Sequence, residues 1–298
     1  MSERETKVGL AFGVLAYGAW GVIPLYWKEL AGVAPAEILA HRVAGALVVG
    51  VLLLLFTGRA ASTLALLRVA ESRRAMLAST ALIALNWGIF IWAVSTSHLT
   101  QASLGYFMNP LFNALLGRLV LGEQLTRAQI GAFALAGSGV LWLVLTGDGI
   151  PWVALALATS FSLYGLVRKR TVVGALEGFT IETAFAAPFA LAFLATRTPA
   201  FGTVVTGAAR LRALLLGAGL VTAVPLLAFA AATKRLRYTT LGMVQFLAPS
   251  LQLFCAVALF GEPFPKRLVL AFGMIGLGAL VYALDALRRS MPRLGTHG

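Results

Sequence analysis

The amino-acid sequence predicts an all-α integral membrane protein whose ten transmembrane helices form two inverted five-helix repeats. Three observations predict this fold: an apolar composition, apolar segments of membrane-spanning length, and an internal repeat. Of the 298 residues, 59% are hydrophobic and 12% are charged, and the mean hydropathy is +0.88. Soluble domains carry about 25% charged residues, so this composition indicates a chain whose solvent is the bilayer.

Short polar or charged connections separate the apolar segments. A bilayer core of about 30 Å is crossed by about 20 helical residues. The first apolar segment has no small-residue cleavage site and leads directly into further spans, so we interpret it as an uncleaved helix. The ten predicted spans are 8–27, 36–57, 75–96, 101–121, 127–146, 151–167, 174–196, 211–232, 239–260 and 266–287.

The lysine and arginine residues of the connections predict the orientation. With a cytoplasmic N-terminus, the inner segments hold sixteen basic residues and the outer loops hold six. The positive-inside rule therefore predicts that both termini are cytoplasmic. The net charge of +13 then faces anionic lipid, so the expected partners are membrane lipids and a small-molecule substrate, and not nucleic acid.

Two stretches of the sequence repeat each other. The segment SLGYFMNPLFNALLGRLVLGE (103–123) and the segment TLGMVQFLAPSLQLFCAVALFGE (240–262) both contain Leu-Gly, a proline, and Gly-Glu ending thirteen residues past that proline. The preceding stretches, 89–105 and 226–242, align without gaps. We therefore divide the chain into five-helix repeats at 1–147 and 148–298. Because five is odd, the second repeat enters the membrane from the opposite side.

The paired prolines, Pro110 and Pro249, predict helix breaks at about mid-bilayer in both repeats. A proline inside a helix leaves the carbonyl four residues earlier without its donor, here those of Tyr106 and Gln245. Such groups are tolerated at that depth only where they face protein or water. The breaks therefore predict a polar region between the repeats.

Several longer segments resemble the drug/metabolite transporter superfamily with paired EamA-type domains, and most closely its RarD subgroup. The resemblance rests on AYGAWGVIPLYWKEL, AEILAHR, LNWGIFIWAVSTSHLTQASLGYFMNPL, SFSLYGLVRKR and FLAPSLQLFCAVALFGEPF. It implies a ten-helix carrier of the bacterial inner membrane, with a central cavity between the halves. Members of this superfamily mostly export amino acids, other metabolites or drugs, and the resemblance names no substrate.

The candidate substrate-binding residues are polar or aromatic groups within the spans. Arg42 would bind an anionic group, or it would serve as a structural partner of neighbouring carbonyls or carboxylates. The others would line the cavity, or act as polar contacts and ordinary packing between helices. Trp27 and Trp152 fit the interfacial aromatic belt instead. The candidates are Arg42, Asn86, Trp87, Trp92, Tyr106, Asn109, Asn113, Gln245 and Gln252.

Three further side chains are candidates for gating or proton transfer. His41 lies one turn after Glu37, and Glu182 begins the seventh helix as Glu37 begins the second, which suggests repeat counterparts. The alternatives are an interfacial pair at His41 and complementation of the helix dipole at Glu182. Glu123 and Glu262 end their helices, where we expect them at the surface as turn and capping residues.

The predicted function is therefore a secondary carrier that exports small metabolites, amino acids or drug-like solutes by alternating access. No nucleotide-binding loop, cofactor site or metal-binding motif is expected from the sequence, and the lone Cys255 is interpreted as core packing. The two alternatives are an intramembrane lipid-modifying enzyme and a non-transporting membrane scaffold. Clustered acid, base or metal-ligand residues would favour the enzyme, but the three histidines are scattered along the chain.

The orientation can be tested by cysteine labelling. Lys169→Cys in a Cys255→Ser background should react with an impermeant maleimide only from the cytoplasmic side, because residues 168–170 belong to an inner connection. Labelling of this cysteine from outside would contradict the inverted repeat.

Overall fold

The computed structural model describes residues 3–122, 124–197, 201–233, 235–236 and 244–290. Within these ranges the chain is helical and has no strand. The helices are α1 Glu3–Lys28, α2 Pro35–Phe56, α3 Ala60–Arg68, α4 Ala70–Ser95, α5 Leu99–Leu121, α6 Arg127–Leu143, α7 Trp152–Arg170, α8 Ala175–Ala195, α9 Thr203–Thr206, α10 Ala209–Thr233, α11 Leu247–Phe254 and α12 Lys266–Ser290. Single π-helical turns, Val144–Asp148 and Cys255–Leu259, extend α6 and α11.

The all-α membrane architecture is confirmed. Among the described helices, seven are long and apolar enough to cross a membrane, namely α1, α2, α4, α6, α8, α10 and α12. Three predicted spans correspond to less apolar or shorter helices: α5 contains several polar residues, α7 ends in three basic residues, and α11 begins only at Leu247. The count of ten spans stays a prediction.

Two short helices, α3 and α9, were not predicted. Each lies in the connection that follows a long helix, after α2 and after α8 respectively. Helix α4 also begins five residues before its predicted span, since Arg73 and Arg74 join its first turns. Hydropathy locates the part of a helix that is in lipid, and charged turns beyond the bilayer escape it.

The long helices of the two halves pack against each other in a reciprocal pattern. Helix α2 packs against α8, and α6 packs against α12. Helix α1 contacts α10 and α11, just as α7 contacts α4 and α5. The first helix of each half therefore packs against the third and fourth helices of the other half.

Glycines allow the closest of these contacts. A Cβ atom added at Gly219 on α10 would overlap the backbone of Gly45 on α2, and one at Gly105 on α5 would lie 2.5 Å from the carbonyl oxygen of Ala154 on α7. In lipid, helices associate by such close packing because there is no water to drive apolar surfaces together. The crossing at Gly45 and Gly219 fixes how α2 meets α10.

Gly219→Ala should destabilise the protein, because the added methyl group meets backbone that cannot rotate away. Overpacking of this kind costs about 1–3 kcal/mol. The measurement is the melting temperature of the purified protein in detergent. The matched control is Gly273→Ala on α12, where an added Cβ meets nothing within 4 Å. That change should leave the melting temperature equal or raise it slightly; equal melting temperatures of the two variants would contradict the prediction.

Candidate functional site

Arg42 lies between the two halves of the chain. Its Nε donates a 2.9 Å hydrogen bond to Oγ1 of Thr222 on α10. Its guanidinium carbon lies 4.1 Å from the centre of the Trp87 ring and 5.2 Å from the centre of the Trp27 ring. Arg42 is 5% exposed, and its Nη1 has no hydrogen-bond partner among the described residues. The guanidinium is therefore held by two indoles and one hydroxyl group.

The crossing of α2 and α10 explains this position. Arg42 and Thr222 each lie three residues from the glycine of their helix at the crossing, Gly45 and Gly219 respectively. The Thr222 hydroxyl donates to the carbonyl oxygen of Ala218 at 2.9 Å, which leaves its lone pairs free to accept from Arg42. Sequence reasoning missed Thr222, because a single threonine in an apolar helix carries no distinguishing pattern.

Trp27 was also interpreted differently from the sequence. We expected it in the interfacial belt, but its side chain is fully buried and its Nε1 has no acceptor among the described residues. Trp152, the other predicted belt residue, is 51% exposed. The two tryptophans have similar positions near helix ends, and only the packing of α1 against its neighbours distinguishes them.

Asn86 and Tyr106 form a second polar group, next to Trp87. The Tyr106 hydroxyl donates to Asn86 Oδ1 at 3.2 Å. Asn86 Nδ2 donates to Ser160 Oγ at 3.0 Å and to the Leu157 carbonyl oxygen at 3.1 Å. These bonds join α4, α5 and α7. The side chain of Asn86 thus has protein partners on both its oxygen and its nitrogen, as expected of a contact between helices.

The residues around the two prolines are only partly satisfied. Asn109 is 7% exposed and Gln252 is 3% exposed, and the side-chain oxygen of each has no donor among the described residues. Gln252 Nε2 donates to the Trp20 carbonyl oxygen at 3.1 Å. Ser103 Oγ donates to the carbonyl oxygen of Pro249 at 2.7 Å, which joins α5 directly to α11. Asn113 and Gln245 are half-buried.

The two prolines occupy different helical positions. Pro110 lies inside α5, as predicted, whereas Pro249 is the third residue of α11. In a first helical turn the missing N–H removes no intrahelical bond. The Gln245 carbonyl, which we expected to be freed, accepts from the Ala248 amide at 3.3 Å. Residues 239–243, which the prediction placed at the start of this helix, lie outside the described part of the chain.

Trp92 belongs to a different region from the Arg42 group. Its ring stacks on His98 at 4.9 Å and lies 5.1 Å from Trp152. It lines an open apolar groove of about 390 Å³ together with Leu39 and Gly88. The described ring contacts of Trp92 therefore involve His98 and Trp152, and none of the polar residues between the halves.

Glu37 is buried at the start of α2 and interacts with the end of α8. Its Oε1 accepts from the Thr203 amide at 2.6 Å, and its Oε2 lies 3.7 Å from Arg197 Nε. His41 Nε2 is 4.0 Å from Glu37 Oε1. The predicted proximity of Glu37 and His41 is therefore present, at a distance too long for a hydrogen bond.

Glu177, and not Glu182, has the position in α8 that Glu37 has in α2. Glu37 and Glu177 are the third residues of α2 and α8. Glu177 Oε1 lies 3.3 Å from Nη1 of Arg59, just beyond the end of α2, as Glu37 lies near Arg197 just beyond the end of α8. The start of the seventh span was predicted at 174, one residue before the observed start at Ala175, so the error lay in choosing Glu182, the eighth residue of α8, instead of Glu177.

Glu182 lies in the body of α8 and joins three helices. Its Oε1 accepts from Ser79 Oγ at 2.8 Å and lies 3.8 Å from Arg168 Nη1. The Tyr164 hydroxyl donates to its Oε2 at 3.4 Å. Arg168 also donates to the Gly174 carbonyl oxygen at 2.8 Å. This buried carboxylate therefore has both a cation and hydroxyl donors, and it does not complement the start of its own helix.

Glu262 caps a helix from the other half of the chain. It was expected at the surface, but it is 6% exposed and accepts from the Leu99 and Thr100 amides at 2.8 Å and from Thr100 Oγ1 at 2.6 Å. These are the first residues of α5, whose free amides favour a carboxylate. The surface position was wrong, because a cap supplied from a distant helix leaves no local pattern. Glu123 lies outside the described residues.

The titratable side chains of the described residues are spread over separate contacts. No group of three histidine, cysteine, aspartate or glutamate side chains there could hold a metal ion. The buried carboxylates Glu37, Glu182 and Glu262 each interact with a different set of backbone or side-chain donors. What the described residues do bring together is a buried cation with aromatic faces and neutral amides nearby.

Comparisons with known proteins identify the relatives of this chain. The model of the EamA-like transporter family matches residues 7–145. An uncharacterized transporter of Vibrio cholerae is 39% identical over 289 residues, which cover 96% of this chain and 95% of that protein. Protein RarD of Escherichia coli K12 is 38% identical over 288 residues, covering 96% and 97% respectively.

The fold is also found in solved structures. One protein crystal structure superimposes with a TM-score of 0.60, covering 98% of this chain and 100% of that chain at 20% sequence identity. At this identity the likeness shows the fold alone. It shows that the arrangement of helices described above occurs over the whole chain in another protein.

Glu262→Gln should lower the melting temperature, because the glutamine side chain is uncharged and accepts hydrogen bonds more weakly from the first backbone N–H groups of α5. Hydrogen bonds to a charged group contribute about 1.5–3 kcal/mol each, and part of that is retained by glutamine. The matched control is Glu29→Gln, which affects a half-exposed carboxylate paired with Arg210. A melting temperature of Glu262→Gln equal to that of the control would show that the cap contributes nothing.

Proposed function

Because this chain belongs to the drug/metabolite transporter superfamily and to its RarD subgroup, we propose that it is a secondary carrier that exports small metabolites, amino acids or drug-like solutes. It is a multi-span membrane transporter of this family. In the proposal its repeats, 1–147 and 148–298, alternate access to a solute site between them. The inner membrane is the proposed location, with both termini in the cytoplasm.

One observation carries the alternating-access proposal: two ion pairs join α2 and α8 at opposite ends. Glu37 at the start of α2 meets Arg197 at the end of α8, and Glu177 at the start of α8 meets Arg59 at the end of α2. The two helices are therefore antiparallel. In an inverted repeat, α2 and α8 are equivalent, and each pair would close one side of the membrane.

The strength of these ion pairs suits a reversible closure. Arg59 is 51% exposed and Arg197 is 43% exposed at the side chain, so water screens both interactions. Such pairs contribute about 0–1 kcal/mol. Because each ion pair contributes so little, a modest change in solute binding energy can open the end that it closes.

The proposed solute site lies on the inner faces between these two ends. Arg42, Trp87, Asn109 and Gln252 are buried where helices of the two halves meet or next to that boundary. Asn86 and Tyr106 position α4 and α5 beside them, and Asn113 and Gln245 extend the polar lining along α5 and before α11. We retain Trp92 only as a residue of the outer apolar groove.

Solute flux in proteoliposomes tests the carrier itself. Reconstituted protein should accelerate counterflow of at least one radiolabelled solute from a panel of amino acids, organic acids and neutral drug-like compounds, relative to protein-free vesicles. An intramembrane enzyme would instead convert a lipid or solute into a product that mass spectrometry detects. A scaffold would give neither flux nor product, and that result would contradict the proposal.

Accessibility of a central cysteine tests the two closures. In Cys255→Ser protein carrying Asn109→Cys, Arg197→Gln should increase labelling by an impermeant maleimide from outside, because it loosens the outer closure. Arg59→Gln should decrease that labelling and increase labelling from inside. The measurement is the ratio of outside to inside labelling rates in oriented vesicles.

The matched control is Arg210→Gln, which removes an exposed ion pair with Glu29 outside the α2–α8 contact. It should leave the ratio unchanged. Changes of the same sign in Arg197→Gln and Arg59→Gln would exclude opposed closures.

A further inference from the structure

Two buried nitrogen donors on neighbouring side chains have no acceptor among the described residues. Arg42 Nη1 and Trp27 Nε1 both lack a hydrogen-bond partner among the described residues, although Arg42 is 5% exposed and Trp27 is 0% exposed. The guanidinium carbon of Arg42 lies 5.2 Å from the centre of the Trp27 ring. A buried donor without an acceptor is costly, and it is rare in folded proteins.

The charge of Arg42 is also unmatched. The described part of the chain buries four charged side chains besides a histidine: Glu37, Arg42, Glu182 and Glu262. Glu37 and Glu182 each have an arginine within 4 Å, and Glu262 accepts three hydrogen bonds. Within the described ranges, Arg42 has no carboxylate within 4 Å. A buried cation without a counter-ion is unfavourable, and in membrane spans such a residue is commonly functional.

The surroundings of Arg42 hold the guanidinium in place without neutralising it. The Trp87 ring lies against it at 4.1 Å, and Thr222 engages Nε. Aromatic faces attract a cation but provide no acceptor for its N–H groups. An oxyanion bound at the guanidinium would supply both the negative charge and an acceptor for Nη1.

We infer that Arg42 and Trp27 bind the carboxylate of the transported solute, so that the carrier's substrates are organic anions. This inference rests on the carrier function proposed above and specifies its substrate class. Arg42 supplies the charge and Nη1, and Trp27 supplies a second donor of fixed direction. Thr222 and Trp87 are positioning residues, because they orient the guanidinium and do not need to touch the solute.

The experiment compares acids with their primary amides, which have nearly the same shape and no charge. The pairs are lactate with lactamide, benzoate with benzamide, and N-acetylphenylalanine with its amide. Binding is measured as the melting-temperature shift in dodecyl maltoside, which has no phosphate, so that a lipid headgroup does not supply the anion. Transport is measured as counterflow in proteoliposomes.

At least one acid should stabilise the wild-type protein and undergo counterflow, while its amide does neither. Trp27→Phe keeps an aromatic ring and removes the N–H group, and it should weaken the affinity for that acid about tenfold. Arg42→Lys keeps the charge but loses the planar donors, and it should weaken the affinity at least as much. The control Trp152→Phe removes an exposed indole N–H and should leave the affinity unchanged.

The outcomes separate the inference from the proposed function. Counterflow of amides at the same rate as acids, reduced equally by the two variants, would overturn the anion site while the carrier stands. Arg42-dependent stabilisation in dodecyl maltoside by an added anionic phospholipid, with no stabilisation by any acid, would assign the site to a lipid phosphate and overturn the inference. Absence of flux for every compound of this panel and of the broader one would overturn the carrier, and the anion site with it.

Discussion

The structure depends on one constraint: in the bilayer, a polar group must find its partner within the protein. Water is absent there, so each unmatched donor, acceptor or charge raises the free energy of the folded state. The polar groups of this chain fall into two sets by this criterion. Asn86, Glu182 and Glu262 have partners on neighbouring helices, whereas Arg42 and Trp27 each have a donor without an acceptor in the described part of the chain. The first set stabilises helix contacts, and a solute can supply acceptors for the donors of the second set.

Helix packing determines where the unmatched donors lie. The close crossing of α2 and α10 depends on Gly219, where a Cβ would overlap the backbone of Gly45, while a Cβ at Gly45 would lie 3.2 Å from the nearest backbone atom of Gly219. That crossing brings Thr222 to within 2.9 Å of the Arg42 guanidinium. A larger residue at either glycine would separate the helices and change the distance between those two side chains. Close packing and the candidate solute site therefore have a common origin in two residues without side chains.

The sequence predicts most of the helices and little of their contacts. The span at 36–57 agrees with α2 at Pro35–Phe56, because hydropathy and a helix-starting proline coincide. Arg42, the most informative site residue, is visible as a charge in an apolar segment. Trp27 and Thr222 are not, because their roles come from helices far along the chain.

The errors have a physical cause as well. Glu182 was paired with Glu37 although Glu177 is nearer the helix start, because the ion pair that distinguishes Glu177 involves Arg59, which is 118 residues away in the sequence. Glu262 was placed at the surface because its partners, the first amides of α5, are more than 160 residues away. A sequence pattern predicts local structure. The reciprocal ion pairs of α2 and α8 could not be predicted in this way, because they join residues that are far apart in the sequence.

The charge of the site bears on how transport is driven. An organic anion that leaves a cell with a negative interior moves down the electrical potential, which is worth about 2.3 kcal/mol per charge for each 100 mV. That corresponds to about a 50-fold concentration ratio without any coupled proton. An anion bound to Arg42 would also neutralise a buried cation that has no counter-ion among the described residues. Loading would then lower the cost of moving the site through the membrane, so the solute itself supplies both the driving force and the signal for the two repeats to move.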